Sequence, residues 1–355
     1  MHILVILPRW LGDIVMTTPM LRALRGHFGP TARITATVKP AFAPLFEGTD
    51  WIDELVPYDK RGRDAAIRPW AAARRLRRDR PDVALIVPNS LSTGLLAWMA
   101  GARRRVGFAR HGRGWLLTDP LAPARERGRI VPRSTASHAM ELAARIGVPR
   151  GPLTLGLATT AADEARADDT LARLFPGVAG PLVVFNDNGA YGPSKSWGSD
   201  HFAALARIVV GRIPAARVLV HCGPGDRPAA RECARAAADP RVASLADVGD
   251  LPIGLSKALL RRAAVVVTTD SGPRHLAAAF GTPTVVLHGP MDPRLSRSDH
   301  RWLEEMRLDL PCSPCGRREC PLGHHDCMRL LAPAEVGRIM VDLLDRAGGQ
   351  AHRVA

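Results

Sequence analysis

His2-Ile3-Leu4-Val5-Ile6-Leu7, then Pro8-Arg9-Trp10-Leu11-Gly12-Asp13, is the stretch on which the fold turns. A short apolar run rich in β-branched residues and stopped by a proline reads as a buried parallel strand. The loop 9–13 follows it. A helical pattern then runs from about Thr17 to Phe28, with Pro19 in the first turn, where a missing N–H does no harm. The same strand–loop–helix order recurs along the chain. RITATV (33–38) and DVALIVP (82–88) are strand candidates, the second after a basic helix at 69–79. Residues 151–180 break the pattern with Gly-Pro, Pro-Gly and a polar helical stretch, so the domain boundary is placed there, dividing 1–175 from 176–355. Beyond it the alternation restarts with LVVFN (182–186), ARVLVHC (216–222), AAVVVTT (263–269) and PTVVLHG (283–289), and a last helix is expected at about 333–347. The class is α/β, two parallel-sheet units with a cleft between them. Ligands of open α/β sheets bind outside the carboxyl ends of the strands, so chemistry belongs in the loops that follow them.

Length and composition agree with two soluble domains: 355 residues, 46% hydrophobic and 23% charged. The net charge of +15 is concentrated. Residues 1–150 hold 25 basic and 12 acidic residues, whereas 151–355 hold 24 and 22. A field of that sign attracts a phosphorylated substrate, a membrane surface or nucleic acid, although a compositional bias toward Arg and Ala accounts for the same counts. Nucleic-acid binding is disfavoured by 5% aromatic content and by the absence of helix-turn-helix, RRM or zinc-finger signatures. The uncharged run Leu91–Ala102 is too short to span a bilayer, which takes about 20 residues. The apolar run Ile3–Leu7 is short, ends at Pro8 and Arg9 and has no basic region before it, so no signal peptide is expected. A cytoplasmic protein that meets membranes peripherally is expected.

Three loops after strands carry chemistry-bearing residues. Gly12-Asp13 follows the first strand. Gly12 permits a sharp turn or a close backbone approach, and Asp13 is either a carboxylate aimed into the cleft or a capping residue, with Thr17 and Thr18 as further caps. Asn188-Gly189-Ala190-Tyr191-Gly192-Pro193-Ser194-Lys195-Ser196-Trp197 reads as an anion cradle or as an ordinary polar loop, and the Walker pattern is not met because Ser194 holds the last glycine position. Asp270-Ser271-Gly272-Pro273-Arg274-His275 is a helix start that can face an anion with Gly272 and His275, or a plain capping turn on Ser271. His221-Cys222-Gly223-Pro224-Gly225-Asp226 is a partial G-x-G in which Asp226 can accept a ribose hydroxyl. Cys312, Cys315, Cys320 and Cys327 crowd together with one C-x2-C pair. A structural zinc site, reduced packing thiols and disulfides all remain open. No Asp-x-Asp occurs in the chain, so no carboxylate pair is on offer for a metal-bridged diphosphate.

Taken together, Arg9-Trp10-Leu11-Gly12-Asp13 with Thr18-Pro19, Tyr191 to Trp197, and Asp270 to His275 resemble glycosyltransferase family 9. Pro88-Asn89-Ser90, Ala100-Gly101 and Arg105-Val106-Gly107 are similar to the family's acceptor side, and 312–325 to its cysteine segment. The resemblance spans about residues 1–345. It implies a GT-B fold of two Rossmann-like domains facing a central cleft, the acceptor on the first and the nucleotide sugar on the second. It implies an inverting transferase that needs no metal cofactor and moves heptose from ADP-heptose to a phosphorylated lipid A-core acceptor at the anionic inner face of the inner membrane. Asp13 would be the general base. Lys195 with Asp270, Ser271, Gly272 and His275 would hold the donor, and Asn89 and Ser90 would lie on the acceptor side; beside these, Ser194 and Asp226 are read as donor-side and Gly12 as acceptor-side from their own loops. Two positions depart from the family pattern: Ser92, where a basic residue is common, and Gly198, where proline usually follows the tryptophan.

Overall fold

The computed structural model describes residues 1–187 and 191–354. Its internal contacts divide the chain into two units, Met1–Ala158 with Arg294–Asp299, and Thr159–Pro293 with the chain from His300 onward.

In the first unit the order is β1 (His2–Ile6), α1 (Leu11–Val15), α2 (Thr18–Phe28), β2 (Arg33–Val38), β3 (Glu54–Pro57), α3 (Pro69–Arg77), β4 (Val83–Ile86), α4 (Leu91–Met99), β5 (Arg104–Phe108), β6 (Asp119–Leu121), a small antiparallel pair β7 (Arg125–Glu126) and β8 (Arg129–Ile130), and α5 (Thr135–Ala144). The main sheet is parallel throughout, in the order β3-β2-β1-β4-β5-β6. β1 lies at its centre because Ile3 to Ile6 can be buried on both faces, with Ile3 opposite Ile34 on one side and Val83 on the other. Ala72, Ala73 and Leu76 of α3 and Leu96, Ala97 and Ala100 of α4 pack in one cluster with Leu4, Ile6, Ala84 and Ile86.

The second unit runs α6 (Ala161–Leu174), β9 (Leu182–Asn186), α7 (Ser199–Arg212), β10 (Arg217–Val220), α8 (Arg227–Ala237), β11 (Val242–Ser244), α9 (Ile253–Arg262), β12 (Val265–Thr269), α10 (Gly272–Ala279), β13 (Thr284–His288), β14 (Leu303–Arg307), α11 (Asp326–Arg329) and α12 (Pro333–Val354). Its parallel sheet has the same topology, β11-β10-β9-β12-β13-β14. Each unit is thus a Rossmann-like fold, with strand order reversing beside β1 and β9. Helix α6, from the mixed 151–180 stretch, packs with α9 in this unit. Glu164 accepts from Arg262 at 2.6 Å and Arg261 at 2.8 Å, and Asp163 meets the fully buried Lys257 at 3.4 Å. A reciprocal capping box between Thr160 and Asp163 fixes where α6 starts.

Several local expectations are corrected. The last helix continues to Val354 rather than ending near 347, since Gly348-Gly349 costs a helix only about 1 kcal/mol per residue and does not forbid it. Gly12 lies inside α1, and its carbonyl accepts from the Met16 N–H at 2.9 Å, so no left-handed turn forms there. Trp10, not Asp13, occupies the cap position of α1. Thr17 and Thr18 do not cap α2: their hydroxyls donate backward to the carbonyls of Ile14 and Val15, at 2.6 and 2.7 Å.

Candidate functional site

Asp13 follows β1 on the first turn of α1, half-buried, and its Oδ1 accepts a hydrogen bond from the Thr135 hydroxyl at 2.8 Å. Thr135 opens α5, so the carboxylate is oriented by an element far away in sequence. Asn89 and Ser90 follow β4, and Ser90 caps α4 through the Thr93 N–H. Both line a cavity of about 230 Å³ at the carboxyl ends of β1, β2, β3 and β4, together with Arg9, Lys39, Lys60 and Arg61. Ser92 lines it too, as does Asp59, which pairs with Lys39 at 3.5 Å. Gly12 and Asp13 are not among its lining residues.

The residue that shapes this loop was not singled out in the sequence. Arg113 is fully buried, and its guanidinium donates to the carbonyls of Phe108 (3.0 Å), Ser90 (3.3 Å) and Pro88, to the Thr93 hydroxyl (3.2 Å) and to the Asn89 side-chain oxygen (3.2 Å). Gly107 makes room for it, because a Cβ there would stand 3.1 Å from Nη2. Burial, with Arg110 nearby, lowers its pKa to about 10, which still leaves it charged at neutral pH. Nothing distinguishes Arg113 locally from the many other arginines. Only its glycine neighbours hint at a close approach. Arg113→Met is expected to lower unfolding free energy by about 2–3 kcal/mol in urea titration, since it strands buried carbonyls. It should also loosen the Asn89–Ser90 loop. Unchanged stability would show that the carbonyls find water instead.

In the second unit, Asp270 ends β12 and gathers charge around it. Lys195 Nζ donates to the Asp270 carboxylate at 2.9 Å and to its carbonyl at 2.6 Å, and Arg274 donates to the other carboxylate oxygen at 3.0 Å. Arg274 also reaches Glu305 at 3.3 Å, and His288 Nε2 lies 2.8 Å from the same carboxylate. Burial opposes the Asp270 charge, but Lys195 and Arg274 outweigh it and hold the carboxyl far below the usual range. His275, in the first turn of α10, is driven the other way. Burial and then Arg274 lower its pKa to about 3, so it is a neutral imidazole, not a cation. Ser271 occupies the cap position of α10 without capping it, and its hydroxyl accepts instead from Asn186 Nδ2 at 3.0 Å. Gly272 begins the helix. Arg274, Glu305 and His288 were not foreseen as parts of this group. The aspartate-to-histidine motif and the strand ending in His288 were visible, but their convergence was not.

The anion cradle read at 188–197 is revised. Asn188, Gly189 and Ala190 lie outside the described residues. Lys195 sits in a short 3-10 turn, and the N–H groups of Trp197 and Gly198 ahead of α7 are already taken by the Asp187 carboxylate at 2.6 and 3.2 Å, with Ser196 donating to it at 2.7 Å. Gly198 is placed by this contact: at φ 100° it adopts a backbone that proline cannot, and it supplies an N–H that proline lacks. Burial raises the pKa of Asp187 against those hydrogen bonds. Asp226 stands at the start of α8, after β10, with β9 between it and β12. Burial and then the Asp187 charge raise its pKa.

The cysteine segment clasps the Lys195 loop. Ser194 donates its hydroxyl to the Arg317 carbonyl at 2.6 Å and its N–H to Arg318 at 3.1 Å, Tyr191 donates to Gly316 at 2.6 Å, and His325 Nε2 lies 2.7 Å from the Ser194 carbonyl. Gly192 permits this approach: at φ 157° it stands where a Cβ would be 2.6 Å from the Arg318 oxygen. Cys312, Cys315, Cys320 and Cys327 are free thiols around a cavity of about 20 Å³ beside Ser194. Among the described residues no group of three or more His, Cys, Asp or Glu side chains is disposed to hold a metal ion, so the zinc site that the spacing left open is not assembled, and neither are disulfides.

Parallel Rossmann-like topology repeated twice in one chain, with a polar group at the carboxyl end of a central strand of the second repeat, is the architecture of the GT-B glycosyltransferases, and that is the class of this protein. The chain belongs to glycosyltransferase family 9 (heptosyltransferase), whose sequence profile matches residues 70–325. Among its relatives, the lipopolysaccharide heptosyltransferase 2 of Escherichia coli K12 is 24% identical over 95% of this chain and 96% of its own length. The lipooligosaccharide heptosyltransferase 2 of Haemophilus influenzae is 27% identical over 83% and 85%. In three dimensions, the structure of E. coli ADP-heptose lps heptosyltransferase II superposes with a TM-score of 0.79 at 23% identity, covering 98% of this chain and all of that one.

Proposed function

We propose that this enzyme transfers heptose from ADP-L-glycero-D-manno-heptose to the inner core of lipopolysaccharide, in the manner of heptosyltransferase II, with inversion and without a metal. The acceptor hydroxyl oxygen bonds to the anomeric carbon as the bond from that carbon to the diphosphate oxygen breaks. ADP departs, and the hydroxyl proton passes to the Asp13 carboxylate. Lys195 and the start of α10 stabilise the diphosphate as charge builds on it. Ser271, Gly272 and neutral His275 line that end, and Asp226 takes a ribose hydroxyl. The cationic cavity holding Asn89 and Ser90 receives a phosphorylated acceptor. The single observation that carries the donor half is the junction of two motifs 75 residues apart, Lys195 on Asp270 at the mouth of a central strand. It supports a lysine held by Asp270 at the end of the strand where a diphosphate would lie.

Because the acceptor is lipid-borne, we place the enzyme in the cytoplasm, peripherally at the inner face of the inner membrane. Among the described residues no helix is long and apolar enough to cross a bilayer. The test of the reaction is to incubate purified protein with ADP-heptose and truncated lipopolysaccharide acceptors and read product mass. One added heptose is expected. Transfer from a different sugar nucleotide, or to a different acceptor alone, would reassign the enzyme within its family. Lys195→Ala should weaken ADP binding about tenfold to a hundredfold in calorimetry, the size of a lost charge-assisted hydrogen bond. Unchanged affinity would remove the lysine from the phosphate site.

A further inference from the structure

Helix α4 is two-sided. Leu96, Ala97 and Ala100 enter the core, while Leu91, Leu95 and Trp98, spaced as one helical stripe, are 50, 39 and 56% exposed. The elements packed beside it carry further exposed indoles. Helix α3, packed against α4, presents Trp70 at 76% exposure, and the short turn Gly114–Leu116 presents Trp115 at 74%. That turn is pressed onto α4 at Gly94, where a Cβ would lie 3.1 Å from Leu116 Cδ1. Five large apolar side chains on three adjoining elements therefore face solvent. Single exposed apolar residues are ordinary on protein surfaces, but a contiguous set marks an interaction surface.

The charge around this face decides its partner. Residues 60–115 contain fourteen Lys and Arg against three Asp and Glu, although Arg113 is buried and Arg103 and Arg104 pair with Asp82 and Asp119. The side-chain stems of Arg77 and Arg80 approach Gly101, just beyond the end of α4, to within 4.0 and 3.9 Å. The helix Leu91–Met99 itself carries no charge. Exposed tryptophan and leucine with arginines at the end of the helix is the chemistry of an anionic bilayer surface, where indoles settle at headgroup depth and each basic side chain adds about 1 kcal/mol. A second copy of the chain would instead set one arginine rim against another.

We propose that the Leu91–Leu95–Trp98 face of α4, with Trp70 and Trp115, inserts into the headgroup layer of an anionic lipid bilayer and docks the first unit on the membrane. The proposal deepens the peripheral placement given above and rests on it. The experiment is co-sedimentation of the full chain with vesicles of phosphatidylglycerol and phosphatidylethanolamine, and with vesicles of phosphatidylcholine alone. Wild type should bind the anionic vesicles, with binding weakened by salt, and bind the zwitterionic ones at least about tenfold less. The double substitution Leu95→Ser, Trp98→Ser should reduce anionic binding at least about tenfold at unchanged thermal stability, since both positions are already exposed. Binding that the substitution leaves intact, or that ignores lipid charge, overturns the proposal. So does a concentration-dependent dimer in light scattering that the substitution abolishes, which would assign the face to a second copy. Heptose transfer to a delipidated, water-soluble acceptor should be the same in both proteins. Failure of transfer in both would strike the reaction assigned above and leave the vesicle result standing.

Discussion

Asp13→Asn is expected to lower turnover at least about tenfold, and by about 10²–10⁴-fold if proton removal is fully coupled to attack, while ADP affinity stays nearly unchanged. The substitution is close to isosteric and keeps an oxygen for the Thr135 hydroxyl, so the contact at 2.8 Å survives and the local fold should be preserved. The ability to take a proton is removed, and with it the negative charge. A loss confined to kcat marks a group acting in the transition state, whereas a loss confined to KM would mark acceptor binding. Wild-type turnover in this variant, measured with saturating ADP-heptose and acceptor, would dismiss Asp13 as the base. Thr135→Val gives a graded control, since it removes one hydrogen bond to the carboxylate without neutralising it.

Asp270→Asn should lower unfolding free energy by about 3–5 kcal/mol, the size seen when one member of a buried ion pair is removed. Lys195 and Arg274 meet at this carboxylate, and both are largely buried, so neither can turn to water without disrupting its neighbours. Urea melts at neutral pH would measure the loss. The pH dependence follows from the direction of the shift. The carboxyl of Asp270 is held far below its unfolded value, so its contribution is fully present above about pH 4, the ordinary aspartate range, and is lost as pH falls below it toward the folded pKa. The variant should therefore approach wild type in stability only in acid. A stability difference that instead grows as the pH falls below 4 would mean that the pairing is not what stabilises the group.

Much of the second unit could be read directly. LVVFN, RVLV, VVVTT and TVVLH are buried on both faces of a parallel sheet, so they appear as continuous apolar runs, and strand and sequence pattern coincide. β14, with the sequence LEEMR, was not foreseen because an edge strand faces solvent along one side and carries charge without cost. β3, also at an edge, is only four residues long with one buried position. The site divides the same way. Lys195 and Asp270 announced themselves by glycine, proline and position after a strand. Asp187 did not: it fills the N–H groups that the loop sequence offered to a ligand, and that geometry belongs to the fold.

By itself the sequence determined the periodicity, and with it the strands, the helices and the loops in which chemistry can occur, because those depend on neighbours a few residues apart. The family resemblance was likewise carried by short ordered motifs. Tertiary structure decided the pairings across long separations: Thr135 on Asp13, Arg113 on the Asn89 loop, Glu305 on Arg274, and the cysteine segment on Ser194. Such contacts bring together groups that local propensity leaves uncorrelated. Burial leaves His275 neutral, whereas Lys195 and Arg274 keep Asp270 ionised against burial, and no linear spacing encodes either balance.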